Sequence, residues 1–148
     1  MNAKVGGVPW AVDNLPFMQV PTMICGMDVF HSTALGKKSV LALTASMNQS
    51  ATTYWSTNVI QDEIGQEASN NLQTGMVSAL EAFKKNNGTY PARIIFYRDG
   101  VGEGQVQGIC VPEIDQIKAS IARASITDSC KFMYVNTCKR VNTRIFGG

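Results

Sequence analysis

Short apolar runs in the first half of the chain predict three strands in quick succession. Residues 23–30 are apolar except for Asp28, residues 39–47 are apolar or small, and residues 52–60 are rich in β-branched and aromatic types. The links between these runs are short, which favours an antiparallel meander. The residues before them, 1–21, are rich in glycine and proline and are predicted to form an extended, irregular lead-in.

The pattern then changes from strand to helix. Apolar side chains recur at spacings of three and four and predict one buried helical face: Ile64, Ala68, Leu72, Met76, Leu80 and Phe83. Two lysines and an Asn-Asn-Gly sequence end this helix. A buried strand is predicted over residues 92–97 and a last strand over residues 131–139. Between them a second helix is predicted to begin at Pro112, since proline suits the first helical position.

The predicted order of elements is therefore β-β-β-α-β-α-β. A strand that returns across a helix lies parallel to a strand already in the sheet, and such crossovers are right-handed. The meander and the two crossovers predict a mixed five-stranded sheet of order 3-2-1-4-5, flanked by helices. This is an α/β, ribonuclease H-like arrangement, and the length suits one domain.

Composition adds two open questions. Charged residues make up 16% of the 148 residues, against roughly a quarter in average proteins. Either part of the surface is covered by another domain or a ligand, or the sheet has long buried strands. The net charge is +2, and the chain from Lys131 onward carries cations and no acid. That basic end is either a phosphate-binding patch or a solvated terminus.

The cysteines indicate an intracellular protein, cytoplasmic or nuclear. No C-x-x-C pair occurs and His31 is the one histidine, which argues against a zinc site. We therefore expect all four thiols to be reduced: Cys25, Cys110, Cys130 and Cys138. The first ten residues lack the apolar core of a signal peptide, and no apolar run approaches 18 residues, so we expect no membrane partner.

Two aspartates interrupt or end apolar strands. Asp28 lies within the first strand, and Asp99 directly follows the fourth. If these strands are parallel neighbours, both carboxylates lie at the sheet edge where α/β folds bind ligands. There they would attract divalent cations such as Mg²⁺, and two such ions roughly 4 Å apart would support in-line phosphodiester hydrolysis. The alternatives are that Asp28 caps local amides near a turn and that Asp99 belongs to an Asp-Gly turn.

Five blocks of the chain closely resemble eukaryotic Argonaute/Piwi proteins, and they occur in the order of that family. The block RIIFYRDGVGEGQ (93–105) resembles the family signature, GMDVFH (26–31) its first catalytic strand, and GQE (65–67) the segment with its catalytic glutamate. NAKVGG (2–7) resembles the lead-in from the MID domain, and KRVNTR (139–144) the basic strand end. The Gly-Val-Pro-Trp and Asp-Val-Phe-His runs are more similar to the Piwi branch, whose guides are piRNAs.

The resemblance implies an RNA-silencing protein that cuts a target RNA paired to a small guide RNA. Asp28 and Asp99 match the aspartates that hold Mg²⁺ or Mn²⁺, and Glu67 matches the glutamate that completes the site. From the residues alone, Glu67 is a polar residue near a helix start, where its charge favours the helix dipole. The family's fourth catalytic residue, a His or Asp, is expected beyond residue 148, and His31 is expected to be structural instead.

The resemblance also implies contacts to the guide RNA. Lys4 matches a lysine that helps hold the guide's 5′ phosphate. Lys139, Arg140 and Arg144 match contacts to the guide backbone, which fix position without reading bases. Asn142 stands where some relatives have a histidine, which puts its own RNA contact in doubt.

Residues 1–21 are thus expected to lead in from a MID domain, and residues 22–148 to form part of a PIWI domain. MID, PAZ and N-terminal domains of the same protein are expected partners, beside guide and target RNA. The 148 residues alone are expected not to cleave RNA, because the fourth catalytic residue is absent. Two alternatives stay open: a guide-binding silencing scaffold that does not cut, and a free-standing ribonuclease H or transposase-like nuclease.

Overall fold

The computed structural model describes residues 5–8, 10–12, 15–31, 39–61 and 68–138. Five strands and two helices follow one another in the order β-β-β-α-β-α-β. Their bounds are β1 Thr22–His31, β2 Ser39–Ser46, β3 Tyr54–Gln61, α1 Ala68–Asn87, β4 Arg93–Asp99, α2 Val106–Arg123 and β5 Lys131–Thr137. None of the helices within these ranges has the length and apolar character needed to cross a membrane.

The five strands form one mixed sheet of order β3-β2-β1-β4-β5. The short links make β1, β2 and β3 an antiparallel meander, in which Cys25 of β1 pairs with Ala45 of β2. The two helical connections make β4 parallel to β1 and β5 parallel to β4. The predicted strand order and the ribonuclease H-like arrangement are confirmed.

The core lies between one face of the sheet and the two helices. Alternate residues of β1 and β4 point into it, including Met23, Met27 and Phe96, which are at most 3% exposed. The helices close the core with buried apolar side chains at helical spacing: Leu72, Met76, Leu80, Ile117 and Ile121. The residues between them in β1 and β4 point to the opposite face, where Phe30 and Tyr97 are exposed.

The second helix begins six residues earlier than the sequence predicted, so the prediction of a start at Pro112 was wrong. Pro112 lies inside α2, which begins at Val106. A proline within a helix leaves the carbonyl four residues earlier without its partner and crowds it. That residue is Gly108, which is exposed and has open space where a side chain would stand. Solvent can bond the Gly108 carbonyl, so the helix continues through the proline.

Candidate functional site

The two aspartates singled out by the sequence end neighbouring parallel strands. Met27 of β1 pairs with Arg98 of β4, and Asp28 and Asp99 are the next residues of these strands. Since Met27 and Arg98 point to the core side, Asp28 and Asp99 belong to the opposite side of the sheet. Asp28 is exposed and Asp99 is half-buried. The fold thus brings both carboxylates to the same strand ends and to the same face of the sheet.

A glycine turn keeps space beside the carboxylate of Asp28. Gly100 follows Asp99 with a φ of +87°, a backbone conformation that residues with side chains rarely adopt. A Cβ atom on Gly100 would stand 3.7 Å from Oδ1 of Asp28. The glycine therefore makes the turn possible and also leaves room for a ligand at the Asp28 oxygen.

Both aspartates also have local interactions. The backbone N–H of Val29 donates to Oδ1 of Asp28 at 2.9 Å. The hydroxyl of Thr137, at the end of β5, lies 3.5 Å from Oδ1 of Asp99 and donates to the carbonyl of Arg98 at 3.0 Å. A carboxylate has two oxygens and about four lone-pair positions, so these contacts are compatible with metal ligation as well. The local amide bond and the Asp-Gly turn, considered as alternatives, are present too.

The donor set fits a hard divalent cation. Oxygens of carboxylates are the ligands that Mg²⁺ prefers in proteins, and Asp28 and Asp99 supply them from two strand ends. Within the described ranges, no group of three or more His, Cys, Asp or Glu side chains is placed to hold a metal. The described part of the site is therefore a carboxylate pair.

The remaining predicted site residues lie outside the described residues. These are the proposed third carboxylate and the four cations predicted to contact RNA: Glu67, Lys4, Lys139, Arg140 and Arg144. His31 ends β1, where its backbone pairs with Ser39. Of the residues carried over from the family to this site, the structure places Asp28 and Asp99.

The structure adds a group of residues that the sequence did not reveal. The guanidinium of Arg98, directly before Asp99, forms a buried ion pair with Glu113 of α2, with 3.1 Å between Nε and Oε1. The hydroxyl of Tyr134 in β5 donates to Oε2 of Glu113 at 2.6 Å. The sequence showed only that a cation, Arg98, lies near the end of an apolar strand. Nothing in the sequence linked Glu113 or Tyr134 to it, because both belong to distant elements.

The four cysteines are free thiols, as expected, and three of them are buried. Burial raises the pKa of the Cys25 thiol from 9.0 to about 12, and Cys130 adds to this increase. Burial also raises the pKa of Cys130 to about 11. Both thiols are therefore protonated near neutral pH, and they serve as small apolar groups of the core.

Comparison with known proteins identifies the class. The family model described as the Piwi domain matches residues 1–147. The chain is 39% identical over 146 residues to Piwi-like protein Siwi of Bombyx mori and 40% identical over 146 residues to Piwi-like protein 1 of Danio rerio. Each alignment covers 99% of this chain, which spans 16% of the first relative and 17% of the second.

Solved Argonaute structures have the same fold as this chain. The fold matches the MID-PIWI domains of N. crassa QDE-2 AGO with a TM-score of 0.82 at 23% identity, over 92% of this chain and 40% of that one. It matches Kluyveromyces polysporus Argonaute with a guide RNA with a TM-score of 0.77 at 25% identity, over 95% of this chain and 18% of that one. Fold and carboxylate pair thus define a ribonuclease H-like domain of the Argonaute type. The chain belongs to the Piwi domain family.

Proposed function

We propose that this chain is part of a protein that binds a small guide RNA and cleaves a complementary target RNA, in RNA silencing. The observation that carries the proposal is the placement of Asp28 and Asp99 at the ends of neighbouring parallel strands, on one face. Membership of the Piwi domain family supports the guide-directed part of the proposal. So does the match to an Argonaute that was solved with a guide RNA.

In this proposal Asp28 and Asp99 hold Mg²⁺ or Mn²⁺, and Glu67 completes the site. Two such ions bound there would supply activation of the attacking water and stabilisation of the leaving oxygen of the target phosphodiester. The chain itself supplies oxygen ligands at fixed positions. The Gly100 turn leaves space beside Asp28, and Thr137 and Arg98 hold the end of β4. These supports keep the ligands in place before the RNA arrives, so little reorganisation is needed.

Guide binding is assigned to the cations near the two ends of the chain. We propose that Lys4 contacts the 5′ phosphate of the guide and that Lys139, Arg140 and Arg144 contact its backbone. Such contacts bind any sequence alike, so base pairing between guide and target gives the specificity. The MID, PAZ and N-terminal domains of the whole protein would contact the remaining guide. The protein would work inside the cell, in the cytoplasm or the nucleus. The resemblance to the Piwi branch makes the guide a piRNA.

A guide-binding scaffold that does not cut is the second candidate. The observation that favours it is that both carboxylates already have local partners, the Val29 N–H at Asp28 and the Thr137 hydroxyl at Asp99. A scaffold would keep the cationic contacts and the fold but would need no complete metal site. The two candidates therefore differ in what happens to a bound target.

The test uses the full-length protein that contains this chain, loaded with a synthetic guide RNA. A labelled complementary target and a mismatched target are each incubated in Mg²⁺ or in EDTA. We expect one cut in the complementary target, in Mg²⁺ alone. A target that is bound but uncut would support the scaffold, and cutting without a guide would support a free-standing nuclease.

A further inference from the structure

A buried ion pair lies directly behind the turn that carries Asp99. Arg98 is 5% exposed, and its Nε donates to both carboxylate oxygens of Glu113, each at 3.1 Å. The hydroxyl of Tyr134 donates to Oε2 of the same carboxylate at 2.6 Å. We refer to these three residues as the Arg98 network. Removing an ion pair from water is costly, and an apolar group of similar volume often serves stability as well or better.

The Arg98 network reaches the candidate site through the turn. Nη1 of Arg98 donates to the carbonyl of Asp99 and lies 4.0 Å from the point where a Cβ on Gly100 would stand. Oδ1 of Asp28 lies 3.7 Å from that same point. The guanidinium of Arg98 is therefore hydrogen-bonded to the backbone of Asp99 and lies close to the Gly100 turn, which stands beside Asp28.

The far end of the network is fixed by packing. The ring of Tyr134 stacks on Phe96, with centroids 5.5 Å apart and planes inclined by 12°, and Phe96 is fully buried. Burial raises the pKa of Tyr134, and the hydrogen bond to Glu113 raises it further, so the hydroxyl keeps its proton and remains a donor. The guanidinium is thus held between α2, β4 and β5.

We propose that the Arg98 network is a positioning group for the metal site: Glu113 and Tyr134 orient Arg98, and Arg98 fixes the Asp99–Gly100 turn so that the Asp28 and Asp99 carboxylates can bind metal together. The inference rests on the proposed metal site. The residues act through the turn and do not touch the cation. Hydrogen-bonded supports behind metal ligands are worth about 10- to 100-fold in metal affinity.

The sign of the effect separates positioning from simple charge. A cation near the site repels Mg²⁺ or Mn²⁺, so if charge alone mattered, Arg98→Met would tighten metal binding and Arg98→Lys would leave it unchanged. If positioning matters, both changes weaken binding. The reason is that a lysine ammonium lacks the planar fork that holds the Glu113 carboxylate and the Asp99 carbonyl together.

The experiment is a Mn²⁺ titration of the full-length protein, followed by electron paramagnetic resonance. The Mn²⁺ binding that disappears in Asp99→Ala defines this site. We expect the dissociation constant at this site to rise about tenfold in Arg98→Met and in Arg98→Lys. Tyr134→Phe keeps the ring stack and the ion pair and removes one hydrogen bond, so it folds, and we expect a rise of about threefold.

Tyr90→Phe is the matched control. The hydroxyl of Tyr90 also donates to a glutamate, Oε1 of Glu81, but this pair is exposed and joins α1 to the loop that follows it. We expect it to leave Mn²⁺ binding unchanged. If Tyr134→Phe and Arg98→Lys shift the unfolding temperature but not the Mn²⁺ dissociation constant, the network is merely structural and the inference is overturned. Absence of Asp99-dependent Mn²⁺ binding in the unmodified protein would overturn the proposed metal site as well.

Discussion

The Oδ1 atom of Asp28 lies 3.7 Å from the point that a Cβ atom on Gly100 would occupy. Gly100 also has a φ of +87°. Gly100→Ala should therefore have two effects. The left-handed backbone should cost about 1 kcal/mol of stability, and the added methyl, at ordinary contact distance from Oδ1 of Asp28, should fill the space beside that oxygen and weaken Mn²⁺ binding. Denaturant unfolding and a Mn²⁺ titration of the same variant measure the two effects.

Gly88→Ala is the control that separates these effects. Gly88 has a similar φ of +75°, and nothing lies within 4 Å of its Cβ position. It directly follows α1, on the side where β4 begins, whereas Asp28 and Asp99 lie toward the other ends of their strands. We expect a comparable loss of stability with unchanged Mn²⁺ binding. Equal Mn²⁺ affinities in the two variants would show that the space beside Asp28 has no role in metal binding.

Because its pKa is raised, the Cys25 thiol is expected to react slowly with alkylating agents. Thiolate is the reactive form, and a pKa raised to about 12 lowers its fraction at any given pH. At pH 9 about a thousandth of the Cys25 thiols would be ionised, so alkylation should be very slow in the native protein. Cys138 is exposed and should react first. Mass spectrometry of peptides after timed treatment with iodoacetamide gives the two rates.

The denatured protein is the reference for this measurement. Unfolding exposes Cys25 and Cys130 to water, which removes the cause of their raised pKa values. All four cysteines should then react at similar rates. Native Cys25 that reacted as fast as Cys138 would contradict the packing described for the core.

The cations near the end of the chain should bind guide RNA through its phosphates. In the full-length protein we expect Arg140→Ala with Arg144→Ala to weaken the binding of all guide sequences alike. The slope of log affinity against log salt should fall by about one unit for each phosphate that is no longer neutralised. Filter binding at several salt concentrations, with guides of unrelated sequence, measures both quantities.

Lys84→Ala with Lys85→Ala is a control of equal charge change. These lysines are exposed in the last turn of α1, at the edge of the sheet where β4 begins. Guide affinity and its salt dependence should stay the same. If the two double variants weakened binding equally, the guide would respond to net charge and not to the particular cations at residues 140 and 144.

The sheet was predictable because its determinants are local. Short links give an antiparallel meander, and connections through a helix give parallel neighbours, so the order 3-2-1-4-5 follows from link lengths and handedness. The start of α2 was not predictable in this way. Pro112 is typical of a first helical turn, and only the three-dimensional setting, with an exposed glycine four residues earlier, shows why the helix passes through it.

The site was predictable in part. Asp28 and Asp99 stood out because each carboxylate interrupts or ends an apolar strand, where a charge is costly unless it has a partner. Glu67 was assigned by resemblance, since a glutamate near a helix start has an ordinary explanation. The Arg98 network could not be predicted, because its members are distant in the sequence. Glu113 lies 15 residues from Arg98, and Tyr134 lies 21 residues from Glu113.

The central claim is that Asp99 serves cleavage and not guide retention. The most direct test is single-turnover cleavage of a complementary target by the guide-loaded full-length protein carrying Asp99→Asn, with guide binding measured on the same sample. Asparagine keeps the shape and suits the turn before Gly100, but it lacks the charge that holds the cation. We predict that cleavage falls at least about a thousandfold while guide affinity stays within about twofold of the unmodified protein. Cleavage at the unmodified rate, or a loss of guide binding as large as the loss of cleavage, would contradict the account.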